Sequence, residues 1–147
     1  MKLSELLRPD LVLTKQACSS KDELIEILVK QICGAANSPP FPPDEILSRI
    51  KTRERIGGTV FPTGLAVPHT RLAECEDFFI TLGMPAEPVF HDGTQVRLMA
   101  LMITSQTGGP LYLPAVALMG RLSMDADYFS RLCGAENYED FIKIFIP

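Results

Sequence analysis

The sequence predicts an α/β protein folded as a three-layer sandwich, with helices on both faces of a mixed central sheet. Two observations carry this prediction. Helical patterns come first, strand patterns follow, and helical patterns return at the end, an order typical of helices packed over a sheet. The run VRLMALMIT, from Val96 to Thr104, is almost wholly apolar and has the length of a strand buried on both faces. With 147 residues, of which 46% are hydrophobic, we expect one domain spanning residues 1–147.

The first elements are a short β-type run, Leu11 to Thr14, and a helix. Ser20 and Glu23 form a capping box, in which the Ser side chain accepts from one free helix amide and the Glu side chain returns to another. Apolar residues then recur at helical spacing, and Gly34 is expected to end the helix. That stripe consists of Leu24, Ile27, Leu28 and Ile32.

A second helix is predicted from Asp44 to about Glu54, after a Pro-rich surface loop over residues 35–43. Pro43 lies near its start, where a missing N–H costs little. Its buried stripe is Ile46, Leu47 and Ile50, and the pair Gly57 and Gly58 breaks it. Strands are predicted at Leu65–Val67 and Phe78–Met84. The closing helices are predicted over Val116–Leu122, Ala126–Leu132 and Tyr138–Phe145.

The composition excludes several classes of function. The net charge of −4 offers no chain-wide basic face for nucleic acid, although a local cluster of Arg49, Lys51, Arg53 and Arg55 stays open. No stretch approaches the roughly 20 apolar residues of a membrane span, and the opening MKLSELLRPD lacks a signal-peptide core, so we expect a cytoplasmic protein. The four cysteines form no C-x-x-C pair, and we expect reduced thiols, no metal and no cofactor.

His69 is the strongest candidate for chemistry. It is one of only two histidines, and it follows Pro68 behind the apolar run Leu65–Val67. A neutral imidazole has a lone pair and a pKa near neutrality, so it can attack phosphorus without a strong base. Pro68 restricts Val67 to an extended conformation and helps to fix where His69 points. The alternative is a surface or strand-end histidine with no task.

The segment upstream of His69 contains residues that could bind a phosphoryl group. Arg53 or Arg55 can provide the cation, because an Arg fork fits phosphate geometry well. Thr59 and the backbone amides near Gly57 and Gly58 can provide hydrogen-bond donors. Catalysis of phosphoryl transfer is mostly positioning and charge stabilisation, which such a set could supply.

The same residues carry a family resemblance that covers nearly the whole chain. The pattern R-E-x-x-G-x-T-x-x-x-x-G-[IL]-A-[IV]-P-H is met by Arg53, Glu54, Gly57, Thr59, Gly64, Leu65, Ala66, Val67, Pro68 and His69. The opening LSELLRPDLVL, the helix SSKDELIEILVKQI and the late VALMGRL are similar too. The chain resembles the fructose/mannitol-type enzyme IIA domain of the phosphoenolpyruvate-dependent sugar phosphotransferase system, and most of all its stand-alone nitrogen-regulatory form.

The resemblance implies the fold and the chemistry together. It implies the mannitol-type IIA fold, with His69 as the phosphorylated residue, Arg53 steadying the phosphoryl group and Thr59 nearby. It implies a histidine phosphocarrier protein as donor and either a IIB component or a regulated partner protein as the next contact. Because no IIB or membrane segment is fused to the chain, a regulatory role is favoured over a sugar-specific one.

One position departs from the family pattern. Many members carry a second His at the start of the helix after the long apolar strand, and that position holds Tyr112 here. A phenol can donate a hydrogen bond to a phosphoryl oxygen but cannot act as a cation. A degenerate binding module that is never phosphorylated therefore stays an alternative. His91 lies in VFHDG and is expected to be a hairpin residue, and no spacing predicts a metal site.

Overall fold

The computed structural model describes residues 3–35, 41–73, 75, 77–107 and 109–145. Two short 3-10 helices, Leu3–Leu6 and Pro9–Leu11, come first. The strands are β1 (Val12–Gln16), β2 (Leu65–Ala66), β3 (His69–Leu72), β4 (Phe79–Pro85), β5 (Val89–His91), β6 (Thr94–Val96) and β7 (Leu98–Ser105). The α-helices are α1 (Lys21–Gly34), α2 (Pro43–Ile56), α3 (Tyr112–Ser123), α4 (Ala126–Cys133) and α5 (Tyr138–Ile144).

The apolar strand β7 is the centre of a mixed sheet. On one side it pairs antiparallel with β4, which in turn pairs parallel with β1. On the other side β2 and β3 both pair parallel with β7 and follow one another along its edge, with Leu65 opposite Leu98 and His69 opposite Met102. β5 and β6 form a separate antiparallel hairpin. The edge of the sheet at β3 is therefore where His69 lies.

Alternate side chains of β7 feed two apolar cores, one on each face. Leu98, Ala100 and Met102 belong to the core under α3, α4 and α5. Met99, Leu101 and Ile103 belong to the core under α1 and α2. Because successive residues of a strand point to opposite faces, an uninterrupted apolar run suits this double coverage. The predicted three-layer α/β sandwich is confirmed.

Local sequence signals explain the two helices that cover the second core. The Ser20 hydroxyl accepts from the Glu23 amide at 3.0 Å, as the capping box predicts. The Glu23 carboxylate, however, accepts from the Ser19 hydroxyl at 3.0 Å, so the predicted return bond was wrong. α2 runs from Pro43 to Ile56, so it begins one residue before the predicted Asp44 and ends two residues after Glu54.

The strands before and after the site depart from the predicted bounds. The predicted strand Leu65–Val67 is shorter by one residue, and β3 was not predicted. Pro68 hides this continuation because it has no N–H for the ladder, yet its carbonyl accepts from the Met102 amide at 3.0 Å and keeps the chain beside β7. The long apolar strand begins at Leu98, because Val96 closes the β5–β6 hairpin.

Two further sequence expectations concern the Pro-rich loop and membrane spans. Residues 36–40 of the predicted Pro-rich loop lie outside the described residues. Over the part of the chain that is described, every helix is too short or too polar to cross a membrane.

Candidate functional site

His69 occupies the first position of β3 and is half-buried. Its Nδ1 lies 3.3 Å from the Val67 carbonyl oxygen, and its Nε2 lies 2.9 Å from the Tyr112 hydroxyl. A carbonyl oxygen can only accept, so Nδ1 carries the proton in the neutral ring. Nε2 then holds the lone pair and accepts from Tyr112. The backbone thus selects the tautomer and leaves Nε2 as the nucleophilic nitrogen.

Tyr112 begins α3 and stacks at a tilt against the imidazole, with ring centroids 4.9 Å apart. Burial raises the pKa of the Tyr112 hydroxyl, with the charges of Arg71 and Arg53 opposing the rise. The phenol therefore keeps its proton at neutral pH and acts as a neutral donor toward His69. α3 begins four residues earlier than the predicted Val116, which brings Tyr112 into the helix.

Arg53 reaches the site from the other helical layer. It lies in the last turn of α2, where its Nη1 donates to the Gly57 carbonyl. An open pocket of about 460 Å³ is lined by Arg53, His69, Thr70, Arg71 and Tyr112. Arg55, the other cation offered by the sequence, donates to Thr52 and lines a different cleft with Lys21 and His91.

Arg71 is the pocket residue that the sequence interpretation missed. It lies two residues after His69 on β3, and residues two apart on a strand share a face. Knowing that His69 begins a strand would therefore have pointed to Arg71. Its backbone carbonyl accepts from Arg49 at 3.0 Å, which ties this strand to α2.

The electrostatics of the pocket favour a neutral imidazole. Burial lowers the pKa of His69, and the guanidinium charges of Arg53 and Arg71 lower it further. The hydrogen bond to Val67 and the Glu54 carboxylate work in the opposite direction. A neutral ring beside two guanidinium groups combines an unprotonated Nε2 with charge complementary to an anion.

Thr59 lies away from the pocket. Its side chain is buried, and its hydroxyl donates to Glu54 Oε2 at 2.7 Å. The Gly57 amide, another donor that the sequence offered, donates to the Arg53 carbonyl at the end of α2. The structure thus brings His69, Arg53 and Tyr112 together and places Thr59 behind them.

His91 is a hairpin residue, as predicted, and ends β5. Its Nε2 lies 3.2 Å from Lys21 Nζ and 3.4 Å from Asp92 Oδ2. Within the described residues, no group of three or more His, Cys, Asp or Glu side chains is arranged to hold a metal ion.

Comparisons with known proteins agree on one family. A family model for "Phosphoenolpyruvate-dependent sugar phosphotransferase system, EIIA 2" matches residues 5–146. A nitrogen regulatory protein of Pseudomonas aeruginosa is 25% identical over 149 residues, covering 99% of this chain and 96% of that protein. The crystal structure of nitrogen regulatory protein IIA-Ntr from Neisseria meningitidis superposes with a TM-score of 0.76 at 19% identity, covering 97% of both chains.

A second similar structure is a IIA protein with a bound partner. It is the mannitol enzyme IIA of Escherichia coli in complex with phosphorylated mannitol enzyme IIB. The TM-score is 0.74 at 14% identity, covering 94% of this chain and 95% of that one. At this identity the likeness concerns the fold.

Proposed function

Because the chain belongs to the EIIA type 2 family of the phosphoenolpyruvate-dependent sugar phosphotransferase system, we propose that it is a phosphoryl carrier that accepts a phosphoryl group on His69. The donor would be a histidine phosphocarrier protein, and the role regulatory, of the nitrogen type. One observation supports this above all. His69, whose Nε2 carries no proton, lines one pocket together with Arg53 and Arg71.

The transfer step follows from the geometry of the ring. Nε2 forms a bond to phosphorus while the bond from phosphorus to the donor nitrogen breaks, and that nitrogen keeps the electron pair. Nδ1–H keeps its hydrogen bond to the Val67 carbonyl, and this hydrogen bond stabilises the positive charge that the ring acquires. The Tyr112 hydroxyl leaves Nε2 as the new bond forms and can then donate to a phosphoryl oxygen.

Arg53 and Arg71 would offset the charge of the phosphoryl oxygens. The phosphoryl group of a carrier is strongly anionic, and its transfer depends on stabilising that charge more than on proton transfer. Both guanidinium groups line the pocket, and both act electrostatically on His69.

The surface beside the pocket suits the docking of a donor protein. A groove of about 380 Å³ shares Arg53 and Thr70 with the pocket and continues along α2 to Ile56. The Ile56 side chain is 80% exposed. Exposed apolar residues beside a polar site are typical of interaction surfaces, so this groove would receive the phosphocarrier.

The decisive experiment is to reconstitute phosphorylation. The protein is incubated with phosphoenolpyruvate, enzyme I and the histidine phosphocarrier, and its intact mass is followed. We expect an acid-labile gain of one phosphoryl group in the wild type and in His91→Gln, but none in His69→Gln. An unlabelled wild type would refute the proposal and favour a binding module that is never phosphorylated. Equal labelling of His69→Gln would refute His69 as the acceptor.

A sugar-specific role is the second candidate, because one similar structure holds a IIA protein together with its phosphorylated IIB partner. The phosphorylated protein is mixed with a purified mannitol-type or fructose-type IIB component. Passage of the label to IIB would favour sugar transfer. Retention of the label, with a different set of captured proteins for His69→Asp and His69→Ala, would favour regulation.

A further inference from the structure

A buried polar cluster lies behind the pocket that Arg53 and His69 line, and it joins α1, α2 and the loop after α2. Lys21 Nζ donates to Glu54 Oε1 at 2.9 Å, and the Thr59 hydroxyl donates to Glu54 Oε2 at 2.7 Å. The side chains of Lys21 and Glu54 are each 4% exposed. Burying an ion pair brings little net stability compared with apolar packing, so the cluster invites a functional explanation.

One end of the cluster reaches the nucleophile through the backbone. The Thr59 carbonyl accepts from the Val67 amide at 3.0 Å. The Val67 carbonyl in turn accepts from His69 Nδ1. Both polar groups of Val67 are therefore engaged, one toward Thr59 and one toward the imidazole. A shift of Thr59 would move the acceptor that fixes both the tautomer and the orientation of His69.

The other end of the cluster reaches the cation. Glu54 directly follows Arg53 in the last turn of α2, so anchoring Glu54 to α1 also anchors the turn that carries the guanidinium. The Gly57 amide donates to the Arg53 carbonyl at 3.2 Å, and the Arg53 side chain donates to the Gly57 carbonyl. Glu54 thus links the supports of the nucleophile with those of the cation.

We propose that Glu54, held by Lys21 and Thr59, is a positioning residue that sets the Arg53 guanidinium and the His69 imidazole relative to each other. The inference rests on the proposed function, and it assigns Thr59 a role through Glu54 and Val67. Phosphoryl transfer depends on alignment, and a displacement of about 1 Å can cost roughly 100-fold in rate.

The test compares Thr59→Val, which removes the hydroxyl at nearly constant volume, with Thr59→Ser, which retains a hydroxyl. The matched control is Thr81→Val, because the buried Thr81 hydroxyl donates to the Leu11 carbonyl at 2.9 Å. Initial rates of phosphorylation are measured against the concentration of phosphorylated phosphocarrier. The ring nitrogens of His69 are also followed by ¹⁵N NMR without phosphorylation, and signals that vanish in His69→Gln assign them.

We expect Thr59→Val to lower the rate at saturating donor by about 10- to 100-fold with unchanged half-saturation. Its His69 signals should lose the single Nδ1–H tautomer. Thr59→Ser should recover most of the rate, and Thr81→Val should keep both rate and tautomer. Thr59→Ala repeats the test if Thr59→Val does not fold.

Wild-type rate and ring signals in Thr59→Val, or an equal slowing in Thr81→Val, would overturn the positioning role. The ring signals keep the two proposals distinct. If the wild type is never phosphorylated but Thr59→Val disturbs the tautomer, the proposed function fails while the link from Thr59 to His69 stands. If the wild type is phosphorylated and Thr59→Val leaves both readouts unchanged, only the positioning role fails.

Discussion

Replacing Lys21 by Met should destabilise the fold far more than replacing an exposed lysine. Met keeps most of the apolar stem but leaves the Glu54 carboxylate, 4% exposed, without its ammonium partner. Removing one partner of a buried ion pair costs about 3–5 kcal/mol. The Thr59 hydroxyl still donates to Glu54, so we expect a value near the lower limit. In a protein of this size, a loss of about 3 kcal/mol lowers Tm by roughly 6–12 °C.

The assay is urea unfolding followed by circular dichroism, with Lys51→Met as the matched control. Lys51 and Glu26 are also in contact, at 2.7 Å, but their side chains are 30% and 50% exposed. Such a surface pair contributes less than about 1 kcal/mol and weakens with salt. The double variant Lys21→Met/Glu54→Gln should recover at least half of the loss, because no charge stays buried. Equal destabilisation in Lys21→Met and Lys51→Met would refute the reasoning.

Three further predictions concern packing and pH. Gly83→Ala should lower the free energy of unfolding in urea by about 1–3 kcal/mol, because the new Cβ would lie 2.8 Å from Cδ2 of the buried Leu28. Gly34→Ala is the control: its new Cβ meets open space, so its effect should be near neutral. Burial lowers the pKa of His69, so the unfolded chain binds more protons just below its own pKa of about 6.5. The contribution of His69 to the free energy of unfolding should therefore be fully present above that pH and be lost as the pH falls through the pKa of the folded state. His69→Gln should lack this pH-dependent contribution. In NMR titrations Arg53→Gln should raise the pKa of His69, and an unchanged pKa would contradict the assigned charge effect.

Local signals in the sequence predicted the presence and order of the α-helices and the core strand, although not all of their bounds. Ser20 as the N-cap of α1 and Pro43 at the start of α2 are signals that act within a few residues of each other. The apolar run of β7 was informative because both of its faces are covered. The strand β3 was missed because Pro68 interrupts the ladder just before it.

Reasoning from the residues alone reached only part of the site. Arg53 and His69 belong to one continuous motif, whereas Tyr112 was found through the family resemblance and Arg71 was missed. Thr59 was interpreted as a donor facing the phosphoryl group, but its hydroxyl is engaged by Glu54, whose other partner is Lys21, 33 residues earlier than Glu54. Such a pairing depends on how α1 packs against α2, and no local pattern records it.

Tyr112 stands where the family resemblance implies a second imidazole, and this changes where positive charge can come from at this site. Burial raises the pKa of the Tyr112 hydroxyl, so it stays a neutral donor throughout the physiological range. The charge opposite a phosphoryl group would then come from the guanidinium groups of Arg53 and Arg71. His69 is consequently the titrating group of the pocket, since burial and both guanidinium groups lower its pKa. The rate of the proposed phosphoryl transfer should therefore fall on acidification in one step, set by protonation of His69. A second imidazole would add a second step to this pH profile.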